Sequence, residues 1–328
     1  MLVLAVEWLT DLPLEFLLCL LVQIGSTPKD RIRFVRSGII VHRVTSVLVS
    51  TIFLCGLSYS RGGVRPSSPP DSSIISASRL AVCGGIFAAS GVAVHFARYK
   101  PLWNEHFTSF HFHEDFTYAQ NQDKLLHFYG GVVGSAISSK ALFWSGYSPP
   151  EASILGGVTS LAFLTFMKIE DGYINYLGFD RVDELSNLAG AAYPLAQYYV
   201  PFLNSFTPKM SFVASKNNVV AKNQALPNFL EDHEGQKFWM GITVYDMLPK
   251  QLQRYWIPAI GVAVGYTVRD LNTPKPYHET IIALDLDLRK LPGNSQLLRT
   301  MWEMLNYIHL PMPAVRISPS VIWYGVYF

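Results

Sequence analysis

Seven residues in the middle of the chain have the types and spacing to act together: Asp123, Lys124, His127, Glu170, Asp171, Asp183 and Asn187. Asp123 and His127 stand four apart, one turn of a helix, and Asp183 and Asn187 repeat that interval. A carboxylate beside an imidazole favours its charged form or fixes its tautomer, as general acid–base chemistry requires. Lys124 lies about 100° further round the same helix, within reach of Glu170 or Asp171 on a neighbour. The bland alternative is that these groups cap helices and glue their ends together, with no ligand. The sharper one is a polar pocket at a membrane boundary, where ionisable groups are costly and are retained for use.

A second constellation lies in the aromatic stretch Trp103–Phe116. His106, His111, His113 and Glu114 offer the donor types of a metal site, and His111 and His113 would share one face of a strand. A divalent metal is therefore the one cofactor the residues would admit. Phe107, Phe110, Phe112 and Phe116 also suit an amphipathic element on a membrane surface.

The elements that must position these groups are helices. Hydropathy and punctuation predict four, over residues 79–98, 122–145, 151–170 and 181–200. At about 20 residues each they are long enough to cross some 30 Å of hydrocarbon. Gly130, Gly134 and Ser138, and again Gly131, Ser135 and Ser139, recur every four residues, the spacing that lets helices approach closely in lipid. Pro149 and Pro150 break the chain before Glu151, and Asp180 and Asp183 fit a helix cap with an acidic third position. Folded up, down and up, the last three helices bring the start of the first, the end of the second and the start of the third to one side.

Half of the 328 residues are hydrophobic and 15% are charged, against about 25% charged in soluble domains. That composition favours membrane contact. A net charge of +2 with no run of Lys and Arg argues against a nucleic-acid partner. Cys19, Cys55 and Cys83 lie in apolar stretches and read as small buried residues. Residues 1–60 run from a basic patch into an apolar segment, the order of a secretory signal or of a plain membrane anchor, with a natural start near Val35 as one way to explain the long leader. Residues 61–78 are a Ser-, Pro- and Gly-rich linker. The expected organisation is thus signal or anchor, linker, a helical bundle over 79–203 and a β-rich region over 204–328.

Past Pro208 the pattern alternates. Strands are expected near 210–215, 237–246, 258–269, 279–290 and 315–328, with a helix over 297–308. Alternation of this kind is found in outer-membrane barrels, but five strands are fewer than the eight or so a membrane barrel takes. A curved sheet covered by a helix, or packed on the bundle, is the expectation. Asp285 and Asp287 share a face and read as a solvated one. The fold class is α+β: a membrane-associated four-helix bundle followed by a small, mainly antiparallel β region with one helix.

Asp123-Lys124-x-x-His127-Phe128, Glu170-Asp171-Gly172 and Asp183-x-x-x-Asn187-x-x-Gly190 together resemble the VanZ-like membrane proteins. The resemblance is closer to the YfiM-like predicted periplasmic lipoproteins of Bacteroidetes-type bacteria. Phe110–Asp115, Asp232–Trp239 and Asn306–Pro313 are similar to that group's extended form. The resemblance spans about residues 79–328 and implies a bacterial envelope address, at the inner membrane or the periplasmic side of the outer one, with no assigned activity. Cys55 follows Leu54 where a lipid-attachment motif has a small residue. Two functions follow. One is an envelope protein that binds lipid, a head group or an envelope protein partner, or assists assembly. The alternative is a metal-assisted hydrolase or transferase at the membrane boundary, with Glu170 or Asp183 as base or ligand and His127 as acid, base or ligand. Among the motifs sought, no nucleophile elbow, phosphate loop or His-Glu-x-x-His is present, which tilts the reading to the first.

Overall fold

A computed structural model describes residues 75–215 and 230–327. The expected signal or anchor over 1–60, and most of the linker, lie outside the described residues. The described chain is mixed helix and antiparallel sheet.

Helix α1 spans Ala77–Val94 and continues through one π-helical turn, His95–Tyr99, into the short α2, Lys100–His106. Ser76 caps α1, and Arg79 donates to the Trp144 carbonyl at 2.9 Å, which fastens its start to the end of α3. Helix α3 spans Gln122–Trp144, α4 Pro149–Asp171 and α5 Arg181–Tyr199. These three differ from the expected bounds by no more than two residues at either end. The reasons are local. Ser148 and Glu151 form a reciprocal capping box with Pro149 at the first helical position, and Asp180 caps α5 through the Val182 and Asp183 amides. Three successive residues with left-handed φ, Ala119, Gln120 and Asn121, turn the chain sharply into α3.

Helix α3 is the axis of the molecule. It packs along both α4 and α5, and α4 packs on α5, whereas α1 touches this trio at few places. The contacts are made at small residues. An added Cβ at Gly131 would stand 2.7 Å from the Ala191 nitrogen, and one at Gly156 2.1 Å from Ser139 Oγ. The Ser160 hydroxyl, on the same seam, donates to the Gly131 carbonyl at 3.1 Å.

The sheet is a six-stranded antiparallel meander in sequence order. Its strands are β1 Phe206–Phe212, β2 Gln236–Ile242, β3 Ile260–Arg269, β4 Tyr277–Leu286, β5 Met312–Ser318 and β6 Ile322–Tyr327. Helix α6, Gln296–Leu305, lies between β4 and β5. The expected single strand over 315–328 is two strands, because Pro319 has no amide to give the ladder and the chain turns there. Pro208 instead sits inside β1, on an edge strand, where a missing donor is tolerated. Just before β5 the chain returns to the far edge. The Met210 amide donates to Tyr307 O and the His309 amide to Met210 O, both at 3.0 Å, so the sheet curls about one face.

That enclosed face carries Trp239, Ala263, Ile281, Ala283, Ala314 and Tyr327. It also carries Lys209, whose ammonium donates to Asp285 Oδ1 at 3.0 Å, Leu286 O at 2.9 Å and Asn306 Oδ1 at 3.1 Å. Asp285 and Asp287 are therefore not on a solvated face. Both are buried, Asp285 against Lys209, and Asp287 against Thr243 at 2.7 Å and Arg289 at 2.8 Å. Alternation fixes which residues share a face but not which face is enclosed, and here the small residues let the sheet close over charge while Val264, Ile282 and Leu284 point out. The sheet rests on α3 through Tyr129, which donates to Tyr307 O at 2.9 Å, and Gln122, which donates to Gln236 O at 2.9 Å.

Candidate functional site

The polar residues gather where α3 and α5 begin and α4 ends. Lys124 on the first turn of α3 stands 2.8 Å from Asp123 Oδ2, 2.8 Å from Asp183 Oδ1 and 3.1 Å from Asp180 Oδ2. Lys168, near the end of α4, stands 2.8 Å from Asp183 Oδ2 and 3.2 Å from Asp171 Oδ2. Asp183 thus gives each of its oxygens to a different ammonium. His127 sets Nε2 3.3 Å from Asp183 Oδ2 and Nδ1 3.0 Å from Asn187 Oδ1. The Asn187 amide nitrogen donates to Glu184 at 2.9 Å, which orients its carbonyl toward His127. Asp123, Lys168, Asp171, Asp180, Asp183 and Asn187 are all buried.

Six of the seven residues singled out by sequence therefore share one network: Asp123, Lys124, His127, Asp171, Asp183 and Asn187. Glu170 does not. Adjacent positions on a helix point about 100° apart, so Asp171 faces the network while Glu170 faces α1 and meets His95 Nδ1 at 3.0 Å. Lys124 pairs with Asp123, Asp180 and Asp183 rather than with Glu170 or Asp171, because Lys168 already occupies the Asp171 side. Asp183, expected to complete a cap, turns its carboxylate to the lysines and leaves capping to Asp180. Sequence reasoning gave no role to Lys168, Glu184 or His95. Lys168 offered one signal, a cation placed two residues before Glu170 at the end of an apolar run.

His106, His111, His113 and Glu114 are not assembled as ligands. Among the described residues no group of three or more His, Cys, Asp or Glu side chains is placed to hold a metal ion. The stretch forms no regular strand to align His111 with His113. It runs beside the α4–α5 loop, bridging once at Phe107–Ile174 and once at Phe112–Phe179. His106 lies edge-on to Tyr176, and Glu114 pairs with Arg181. What the stretch does build is an aromatic layer under the polar network. Phe107 stacks on Tyr173 at 5.8 Å, and Phe110, Phe112 and Phe179 pack against one another. Phe107, Phe112 and Phe116 are each about 60% exposed.

Around His127 the network is closed, although Asp123 Oδ1 and Asp171 Oδ1 are buried without a hydrogen-bond partner. Two ammonium groups and an imidazole stand among four carboxylates, and both nitrogens of His127 face oxygen, so neither is left for a substrate. Charges buried this way hold helix ends in register, and removing one partner strands the others.

Two histidines on the sheet side sit in dry surroundings. His233 lies edge-on to Tyr118, and His309 stacks on Trp239 at 3.9 Å. Burial pushes both down to about 4, with Lys209 adding to the effect at His309. In the unfolded chain each would titrate near 6.5. Above that pH neither contributes a pH dependence. As pH falls from about 6.5 to about 4 the unfolded chain takes up protons that the folded one refuses, and stability is lost. The expected loss is about 3 kcal/mol per histidine. Denaturant unfolding at a series of pH values checks this, and His233→Gln and His309→Gln should each flatten the curve.

Residues 85–199 match the family described as predicted periplasmic lipoprotein (DUF2279), a stretch that includes all seven residues and runs from within α1 to the end of α5. No curated protein and no solved structure matches the chain.

Proposed function

We propose that this is a cell-envelope membrane protein of the periplasmic lipoprotein kind that holds membrane lipid and does not transform it. Its helical body sits in the bilayer and the polar network braces it. The supporting observation is an inverted distribution of polarity. Among the described residues, buried polar and charged side chains outnumber buried apolar ones, while Val82, Phe87, Val92, Ile154, Val158, Leu185 and Leu188 face outward from the helices. Water would drive the opposite arrangement; lipid tolerates this one. Two helical segments, Ala77–His106 and Pro149–Asp171, are long and apolar enough to cross a membrane. Aromatic side chains are exposed at both ends of the helices, Phe107, Phe112 and Phe116 at one and Phe143, Tyr198, Tyr199 and Phe202 at the other, as at the two boundaries of a bilayer.

The match over 85–199 supports the envelope address. The order Asp123-Lys-x-x-His127, Glu170-Asp171, Asp183-x-x-x-Asn187 is our ground for a YfiM-like affiliation and a more distant VanZ-like one. On this reading residues 79–203 are the lipid-embedded part, with α1 completing a bundle of four, and residues 204–328 form a β region docked on α3. Holding is favoured over transforming because the charges of the network are spent on one another. Membranes from cells producing the full chain provide the test. After washing at alkaline pH and high salt the protein should stay in the pellet and leave only with detergent. Release by the wash alone would refute the reading.

A further inference from the structure

Helix α1 opens the apolar segment Ala77–His106, within which mean hydropathy reaches 1.8, yet no α1 side chain is buried. Between it and α4 runs a groove of about 440 Å3, walled by Phe87, Gly91 and Val92 on one side and Phe163 and Phe166 on the other. Phe87 and Phe163 meet edge to face across it, with ring centroids 5.8 Å apart, and the groove is wider toward Gly91. A Cβ added at Gly91 would find only the Phe166 ring, at 4.0 Å. At one end the lining changes character. His95 and Glu170 meet there at 3.0 Å, and Lys100 lies 4.9 Å over the Phe96 ring beside them. The His95–Glu170 pair belongs to no part of the network around Asp183.

We propose that this groove holds one acyl chain of a membrane phospholipid, with the ester region beside His95–Glu170 and the phosphate facing Lys100. The inference rests on the reading of the helical body as lipid-embedded and names the place where lipid is held. An apolar channel that ends on a hydrogen-bonding pair and an exposed cation has the polarity profile of such a lipid. A plain apolar peptide would offer Lys100 no anion and the His95–Glu170 pair no polar neighbour. The π-helical turn that begins at His95 is what swings this pair to the groove's end, since a fifth residue in the turn re-phases the helix face.

The full chain, reconstituted in phosphatidylcholine vesicles carrying a phospholipid with a photoactivatable diazirine midway along one acyl chain, is irradiated, digested and mapped by mass spectrometry. Adducts should concentrate on peptides covering residues 87–96 and 162–170. Gly91→Phe, which fills the groove, should reduce them about tenfold or more, the equivalent of losing one or two buried methylenes. Gly85→Phe on the same helix, where an added Cβ meets nothing within 4 Å, should not. Both variants should remain in washed membranes. Labelling spread evenly over α1, α4 and α5 and unchanged by Gly91→Phe would overturn the proposal. So would cross-links from the groove to residues 1–74, which would make this chain's own N-terminal segment the occupant. Loss of the unaltered protein from washed membranes would instead overturn the reading on which the proposal rests.

Discussion

Asp183→Leu is expected to lower the free energy of unfolding by about 3–5 kcal/mol, the cost of leaving a buried charge without its partner. Among the described residues Asp183 is the one carboxylate that touches both Lys124 and Lys168, at 2.8 Å in each case, and it also receives His127. Removing it leaves two ammonium groups with reduced compensation at the junction of three helices. Asp123→Leu should cost less, because Lys124 keeps Asp180 and Asp183. A double-mutant cycle separates pairing from packing. If the loss arises from stranded charge, Asp183→Leu combined with Lys168→Met should cost less than the sum of the two single changes, and the difference should exceed about 1 kcal/mol. Unfolding in detergent micelles, followed by near-ultraviolet circular dichroism, reads all four proteins. Additive effects would mean that the network is not a unit.

Gly190→Ala should be as damaging, for a steric reason. The added Cβ would stand 2.0 Å from the Phe128 carbonyl oxygen, 2.8 Å from its carbon and 3.0 Å from its Cα. These are backbone atoms of the facing helix and cannot rotate away, so α3 and α5 must separate. Separation stretches the 3.0 Å contact of His127 with Asn187, which lies one turn from Gly190. A loss of about 3 kcal/mol or more is expected, at the upper end of overpacking costs. Gly84→Ala is the matched control. It lies on α1 with nothing within 4 Å of an added Cβ, and it should be neutral or stabilise by up to about 1 kcal/mol through helix propensity. Thermal unfolding of the two variants side by side checks the contrast; equal effects would show that the α3–α5 seam is looser than its distances imply.

How much of this was legible beforehand differs between the two halves. The helices were, because long apolar runs end at strong punctuation: Pro149, the Asp180 cap and Pro201. Their up-down-up course also follows from short connections, and with it the meeting of Asp123, His127, Asp171, Asp183 and Asn187. Which of two neighbours faces inward was not, since Glu170 and Asp171 are equally acidic and only helix rotation distinguishes them. Nor is Lys168 legible, since a lysine at the end of an apolar helix usually reaches outward to water; here it turns in to Asp171 and Asp183. In the sheet the period of two was plain and the inside was not. Ala263, Gly265 and Ala283 belong to the small-residue face of the alternation, and their small size is what lets Trp239 and the Lys209–Asp285 pair close together.

The wiring of the sheet bears on how the chain matures. Each strand pairs with the one before it in sequence, so the ladder can zip progressively as polypeptide emerges. Lys209 is the exception. It belongs to the first strand, and its partners Asp285, Leu286 and Asn306 follow 76 to 97 residues later. Until they arrive the first strand carries an unneutralised cation on what will be its inner side. A ribosome-stalled or truncated product ending near residue 280 would therefore lack Asp285, Asn306 and the Ile308 return to Met210, and should be the species that quality-control proteases find first.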